Sequence, residues 1–193
     1  MPKMTADELG RALEPLFALA RGISMEQLKH HARVDDVKIK SASVEVIAEQ
    51  PVTAQILIAG TDMEVVFRLH FSLEDAKRMV ENRIGKGSGT RSLAIDLVRE
   101  SSNLVSGRMK AFLETSGIVM AQGLPFVLKE RHHRTKITTK RKGFALATWG
   151  LETKAMGEIL CSMVIEIKNF DVLPKLVDFS NSVLPKSGDV EVF

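Results

Sequence analysis

Apolar residues at every second position of three segments constrain the fold of this chain more than any other feature. In "VTAQILIA" at 52–59 and "EVVFRLHF" at 64–71, every second residue is apolar, and the same pattern returns within 157–168. A period of two is the signature of a β-strand with one covered face. These segments therefore predict strands of one sheet, whose apolar side needs a second layer.

Three further segments carry the apolar spacing and the end signals of helices. They are residues 5–32, which fit one or two helices, residues 72–85, and residues 91–115. The first segment offers Thr5 or Asp7 as its capping residue. The second opens with Ser72 and Asp75 and stops at Gly85, so both of its ends are marked.

The remaining signals repeat the same order of elements in the two halves of the chain. Strand-like runs lie at 37–47, 124–131 and 143–149, a hairpin turn at 60–62, and a closing helix at about 172–183. Each half thus reads as helix, three strands, helix, although residue identity between the halves is poor. We therefore predict a single α+β domain over 1–193, with a largely antiparallel sheet, long helices packed on it and an internal duplication of architecture.

The positive charge of the chain is local. Its formal net charge is +3, but seven Lys or Arg residues and one Glu lie within "KERHHRTKITTKRK" at 129–142. The rest of the chain holds 20 basic and 23 acidic residues, a net charge of −3. The basic segment favours either a solvated hairpin or a module that binds nucleic acid or an acidic partner. It contains no aromatic residue on which bases can stack, so we rank nucleic-acid binding below the hairpin.

The expected compartment of the protein is inferred from three features that its sequence lacks: a pair of cysteines, a signal peptide and a membrane span. Cys161 is the single cysteine, so no disulfide can form within the chain. The N-terminal "MPKMTADELG" has no apolar run of the signal-peptide type, and no stretch is long and apolar enough for a bilayer. We expect a cytoplasmic protein without a membrane partner.

One helix, predicted at 91–115, carries a line of polar residues with unusual members. At about 100° per residue, Asp96, Glu100, Asn103 and Gly107 fall in a narrow stripe opposite an apolar face. That face holds Ala94, Ile95, Val98, Val105, Met109, Phe112 and Leu113. A solvated helix face is the simplest interpretation, since polar residues usually lie outside. It leaves Gly107 unexplained, because glycine in mid-helix costs about 1 kcal/mol relative to alanine. Close approach of a partner backbone would explain it.

The spacing Asp96-x-x-x-Glu100-x-x-Asn103-x-x-x-Gly107 resembles the signature of the CheC, CheX and FliY chemotaxis phosphatases. "LETSGIVMAQGLPFVL" at 113–128 is similar to the family's continuation after this helix, and the resemblance covers roughly residues 50–168. It implies the CheC-like fold. The early helix does not repeat the Glu-x-x-Asn pair, because no Asn follows three residues after Glu14. The resemblance therefore implies a single site, as in CheX-like proteins.

This resemblance implies a bacterial signalling function. Members of the family hydrolyse the aspartyl phosphate of a CheY-like receiver domain. By analogy, Asn103 would orient the attacking water and Glu100 would pair with a receiver lysine. Asp96 and Gly107 would belong to the docking surface. No cofactor of the chain's own is implied, because the phosphorylated receiver carries the divalent metal, Mg²⁺. A homodimer is also suggested.

Other features point to weaker alternatives. The fold could persist without catalysis, as a protein that docks a receiver or serves as a scaffold in a signalling or flagellar system. "GKGSGT" at 85–90 lacks the complete phosphate-loop pattern, so we interpret it as a connection. His132 and His133 have no nearby partners with metal-ligand spacing, so no metal site is predicted. Cys161 and Trp149 fit a core.

Overall fold

The computed structural model describes residues 4–48, 50–129, 142–155 and 157–176. Its helices are Ala6–Ala32 (α1), Val44–Ala48 (α2), Leu73–Ile84 (α3) and Arg91–Thr115 (α4), with a short 3-10 helix at Phe170–Val172. Its strands are Lys38–Ser41 (β1), Val52–Ala59 (β2), Met63–Phe71 (β3), Ala121–Gln122 (β4), Phe126–Lys129 (β5), Phe144–Thr153 (β6) and Gly157–Ile167 (β7). The predicted α+β class is confirmed.

All seven strands form one sheet, and every pairing between them is antiparallel in the part of the chain that is described. The order is β1-β6-β7-β3-β2, after which β4 and β5 each pair with β2. Antiparallel neighbours of this kind leave successive side chains on opposite faces. The predicted largely antiparallel sheet is therefore present, with the alternating segments at its centre.

The predicted duplication is visible in how the two halves share this sheet. The last strands of the halves, β3 and β7, pair at the centre, where Phe67 lies opposite Met163. The second half has four strands, one more than predicted, because β4 precedes β5. Strands also pair across the halves nearer the edges: β1 pairs with β6, and β4 and β5 both pair with β2. Strands of the two halves therefore alternate within one sheet.

The helices α1, α3 and α4 cover one face of the sheet. The side chains between the layers are almost fully buried; they include Leu13, Phe17, Ile56, Phe67, Met79, Met109 and Met163. Burial of such large apolar side chains contributes roughly 1.5–3 kcal/mol each. This packing makes α4 a rigid support, because one side of the helix is fixed against the sheet.

Most predicted boundaries hold. The first segment is one helix with a capping box between Thr5 and Glu8, and α3 begins after Ser72 and ends at Gly85. The predicted turn at 60–62 joins β2 to β3. The predicted helix over 91–115 matches α4 residue for residue.

The strand prediction over 37–47 is wrong in its second part. Only Lys38–Ser41 pairs with β6, and Val44–Ala48 forms a short helix. There Ile47 is buried, while Val44 and Val46 are about two-fifths exposed. The β-branched residues of this segment favoured a strand. In the structure the short helix directs Ile47 toward the protein interior. The sequence also gave no sign of β4.

Two other predictions extend beyond the described residues. Residues 130 and 131 of the strand predicted at 124–131 lie outside the described ranges. So do residues 177–183 of the predicted closing helix, which the structure shows only as the 3-10 helix and a helical turn at 173–176.

A buried hydrogen bond ties α1 to β6 and gives a stability prediction. Trp149, 1% exposed, donates its indole N–H to the hydroxyl of Ser24 at 3.0 Å. In Ser24→Ala this donor loses its partner, so we expect unfolding free energy to fall by about 1–3 kcal/mol in urea titrations. Ser92→Ala, an exposed change on α4, is the control and should change stability by less than about 0.5 kcal/mol. Equal stability of both variants would contradict the prediction.

Candidate functional site

Helix α4 presents the candidate site. It begins after Thr90, whose side chain accepts a hydrogen bond from the backbone N–H of Leu93. Its buried face comprises Ala94, Leu97, Val98, Ser101, Ser102, Val105, Ser106, Met109 and Leu113. Ile95 and Phe112, predicted on this face, are half-buried. The small serines let α4 pack closely on its neighbours, and the opposite side of the helix faces solvent.

The predicted polar stripe lies on that outer side. Asp96, Glu100 and Asn103 are exposed, with the Glu100 side chain 54% accessible, whereas Gly107 is half-buried. The prediction that Glu100 and Asn103 face solvent is confirmed. A carboxylate and a carboxamide thus stand one helical turn apart, where a partner can reach both.

Glu100 has a cationic neighbour on α3. A carboxylate oxygen of Glu100 lies 3.6 Å from a guanidinium nitrogen of Arg83, and Arg83 also donates to Nδ1 of His31 at 3.5 Å. Burial lowers the pKa of His31, Arg83 and His30 act in the same direction, and Glu100 opposes them. The ion pair is half-exposed, and such pairs contribute at most about 1 kcal/mol. Glu100 therefore remains available to a second cation.

Asp96 makes weaker local contacts. Its carboxylate lies 3.9 Å from the guanidinium of Arg99, one turn along α4. Arg99 also donates to the carbonyl oxygen of Pro125 at 3.5 Å. These contacts place the loop between β4 and β5 beside α4, so the stripe borders a second structural element.

Asn103 has a partner that the sequence did not reveal. The side-chain amide of Gln122, in β4, donates to Oδ1 of Asn103 at 2.8 Å and to its backbone oxygen at 3.2 Å. Gln122 is also the neighbour of Gly107: a Cβ built on Gly107 would lie 3.5 Å from Oε1 of Gln122. The space beside Gly107 is thus bordered by a side chain of this same chain. No spacing rule could find Gln122, since β4 has only two residues.

Exposed apolar side chains border the polar pair. Leu93 and Leu104 lie on the outer side of α4 and are 42% and 40% exposed, and Leu124, in the loop after β4, is 87% exposed. Exposed apolar residues around a few polar groups are typical of protein-binding surfaces. The surroundings of Glu100 and Asn103 therefore favour a protein partner.

The other sequence signals fall into two groups. Cys161 is fully buried, which raises the pKa of its thiol, and Trp149 is buried too, so both predicted core positions are confirmed. In the loop over 85–90, the backbone N–H of Gly87 donates to a carboxylate of Glu81, so the loop serves as a connection between α3 and α4. The basic segment, apart from Lys129 and Lys142, and the pair His132 and His133 lie outside the described residues.

The described residues contain neither a group of metal ligands nor a membrane-spanning helix. Among them, no group of three or more His, Cys, Asp or Glu side chains is arranged to hold a metal ion. Within the same ranges, no helix has the length and apolar character needed to cross a membrane.

Comparisons with known proteins identify the fold. Neither a protein family model nor a curated protein matches the sequence. Chemotaxis protein CheX from Vibrio vulnificus is similar in structure: TM-score 0.59 and 20% identity, covering 81% of this chain and 99% of that one. CheX in the CheX-CheY-BeF3-Mg complex from Borrelia burgdorferi gives TM-score 0.56 and 16% identity, covering 80% of this chain and 97% of that one.

FliM is similar over a longer stretch. In the FliM-SpeE complex from H. pylori the TM-score is 0.57 at 9% identity, covering 94% of this chain and 100% of that one. These identities are all low, so what the proteins share with this chain is the fold. The predicted CheC-like fold is confirmed, and the polar stripe lies on one of its long helices.

Proposed function

We propose that this chain, which has the fold of the CheX and CheC-like chemotaxis proteins, docks on a CheY-like receiver domain and stimulates hydrolysis of its aspartyl phosphate. The observation that carries the proposal is the exposure of Glu100 and Asn103, one turn apart on a helix fixed by its other face. A complex of CheX with CheY, BeF3 and Mg from Borrelia burgdorferi supports the choice of partner.

Asn103 would position the attacking water. Phosphoryl transfer depends mainly on alignment and charge neutralisation, and the phosphorylated receiver brings the phosphoryl group, its divalent metal and a lysine. A carboxamide oxygen has two lone pairs. Gln122 occupies one of them on Oδ1, which leaves the second for a hydrogen bond from water. An uncharged acceptor also avoids repulsion of the phosphoryl oxygens.

Glu100 would set the register of the two proteins by pairing with the receiver lysine. A charge-assisted hydrogen bond is directional and stronger than a neutral one. The contact with Arg83 holds the carboxylate near its working position without burying it. Asp96 would extend the acidic edge of the docking surface, and the exposed leucines beside it would supply apolar contact area.

Glu100→Ala is expected to weaken binding of a receiver that carries a stable phosphate mimic by about tenfold or more, because a charge-assisted contact contributes about 1.5–3 kcal/mol. Stimulated dephosphorylation should fall as well. A titration measured by calorimetry or fluorescence tests this. Glu114→Ala removes a carboxylate of similar exposure from the same helix and should bind normally. Equal affinities of the two variants would show that Glu100 does not contact the receiver.

The direct test of the function is phosphate release from a panel of the host's phosphorylated receiver domains, with and without this protein. We expect faster decay of at least one receiver. If every phosphorylated receiver releases phosphate at the same rate with and without this protein, the phosphatase proposal is wrong.

A second candidate is a scaffold that docks a receiver without catalysis. The likeness to FliM favours it, since FliM is seen in complexes with other proteins, SpeE and FliG, and its alignment in the SpeE complex covers 94% of this chain. Binding of phosphorylated receivers with unchanged decay would support the scaffold and exclude the phosphatase.

A further inference from the structure

We infer that Gln122 is a positioning residue that fixes the carboxamide of Asn103, and that the lack of a long side chain at position 107 leaves Gln122 in place. The inference rests on the proposed function where it concerns catalysis. The contact among the three residues can also be tested in the free protein.

Both hydrogen bonds come from one amide group. The side-chain nitrogen of Gln122 donates to Oδ1 of Asn103 at 2.8 Å and to the backbone oxygen of the same residue at 3.2 Å. The second bond holds Gln122 to the helix backbone, and the first bond then sets the rotation of the Asn103 amide. An exposed Asn would otherwise sample several rotamers. A misplacement of about 1 Å can cost about 100-fold in rate, so such restraint has catalytic value.

Gly107 explains how Gln122 reaches the backbone of an α-helix. On a helix, the side chain of residue i+4 leans toward the N-terminus, over the carbonyl of residue i. Gly107 stands four residues after Asn103 and has no side chain there. A Cβ at this position would lie 3.5 Å from Oε1 of Gln122, which is ordinary contact. Alanine therefore fits, whereas a longer side chain would displace Gln122.

The backbone around Gln122 is held by β2. Gln122 lies opposite Ile58 in the sheet, and the N–H of Gly123 donates to the carbonyl oxygen of Leu57 at 2.8 Å. Val119 lies just before β4, and Gly60 lies just after β2. A Cβ on Gly60 would meet the carbonyl oxygen of Val119 at 2.5 Å, so the backbones of these two segments are in close contact. The pairing of β4 with β2 thus holds the backbone of Gln122 in the sheet, and the side chain of Gln122 reaches from there to α4.

The test is Gln122→Met, which keeps the length of the side chain and removes the donor. We expect the maximal stimulated rate to fall about tenfold, while the receiver concentration at half-maximal rate stays within about twofold. Gly107→Leu, which acts on the same contact from α4, should give the same loss, and Ser92→Ala, an exposed change elsewhere on α4, should stay close to wild type. Full maximal rates in both Gln122→Met and Gly107→Leu would overturn the inference.

NMR of the free protein separates this inference from the proposed function. We expect the side-chain amide of Asn103 to be ordered in wild type and in Ser92→Ala, and mobile in Gln122→Met. If wild type stimulates no receiver, the proposed function fails, and these spectra alone decide whether Gln122 positions Asn103. An equally ordered Asn103 amide in Gln122→Met would overturn the positioning role, whatever the kinetics.

Discussion

Asn103→Ala is expected to lower the stimulated rate of receiver dephosphorylation by about 100-fold, while receiver affinity and stability stay close to wild type. The loss is large because, in the proposed mechanism, the carboxamide aligns water only as the phosphoryl group transfers. The change in unfolding free energy should stay within about 0.5 kcal/mol, since Asn103 is exposed. Gln122 can still donate to the backbone oxygen of residue 103 in the variant.

Three measurements test this expectation: phosphate release at saturating protein, a binding titration with a stable phosphate mimic on the receiver, and a melting curve. Ser92→Ala, an exposed polar-to-alanine change on the same helix, is the matched control and should be normal in all three. Unimpaired phosphate release in Asn103→Ala would refute the proposed mechanism. Loss of binding together with activity would instead make Asn103 a docking residue.

The second large expected effect is loss of stability in acid, through His70. This side chain lies on the face of the sheet away from the long helices and is 5% exposed. Its Nδ1 is 2.9 Å from the hydroxyl oxygen of Thr53 and its Nε2 is 2.8 Å from that of Ser162. Burial, aided by the charge of Arg68, lowers the pKa of His70 to about 3.

The direction of the effect follows from proton uptake. An unfolded histidine titrates near pH 6.5, so between about pH 6.5 and pH 3 the unfolded chain binds a proton that the folded chain does not. The stabilisation is therefore present above pH 6.5 and is lost as pH falls. The slope is about 1.4 kcal/mol per pH unit, so from pH 6 to pH 4 the loss reaches about 2–3 kcal/mol. His31, whose pKa burial also lowers, adds in the same direction.

Urea unfolding at pH 7, 6, 5 and 4 measures this slope. His70→Gln keeps a polar group in the site but does not titrate, so its stability should fall less steeply below pH 6. Ser92→Ala, an exposed change that removes no titratable group, is the control and should retain the wild-type slope. Carboxylates that titrate in this range contribute equally to all three proteins. The same slope in His70→Gln and wild type would show that His70 is not the group responsible.

Helix α4 illustrates how much of this molecule was predictable. Its range was predicted correctly because the apolar spacing that defines it acts between residues within a few positions of each other. The exposure of Glu100 and Asn103 followed from the same spacing, since a helix packed by one face must expose the other. The segment 37–47 failed because its β-branched residues fit both a strand and a short helix, and packing of Ile47 chose between them.

The sequence by itself determined the period of each long element, the ends of α3 and α4, and the outward stripe, because these depend on neighbours within one or two turns. Only the tertiary structure decided which strands pair and which side chains meet the stripe. The pairing of β1 with β6 and of β5 with β2 depends on the whole sheet closing around one core. The contacts of Glu100 with Arg83 and of Asn103 with Gln122 exist because packing brings α3 and β4 against α4. No local sequence pattern predicts these two contacts, because each joins residues on different elements that only the tertiary fold brings together.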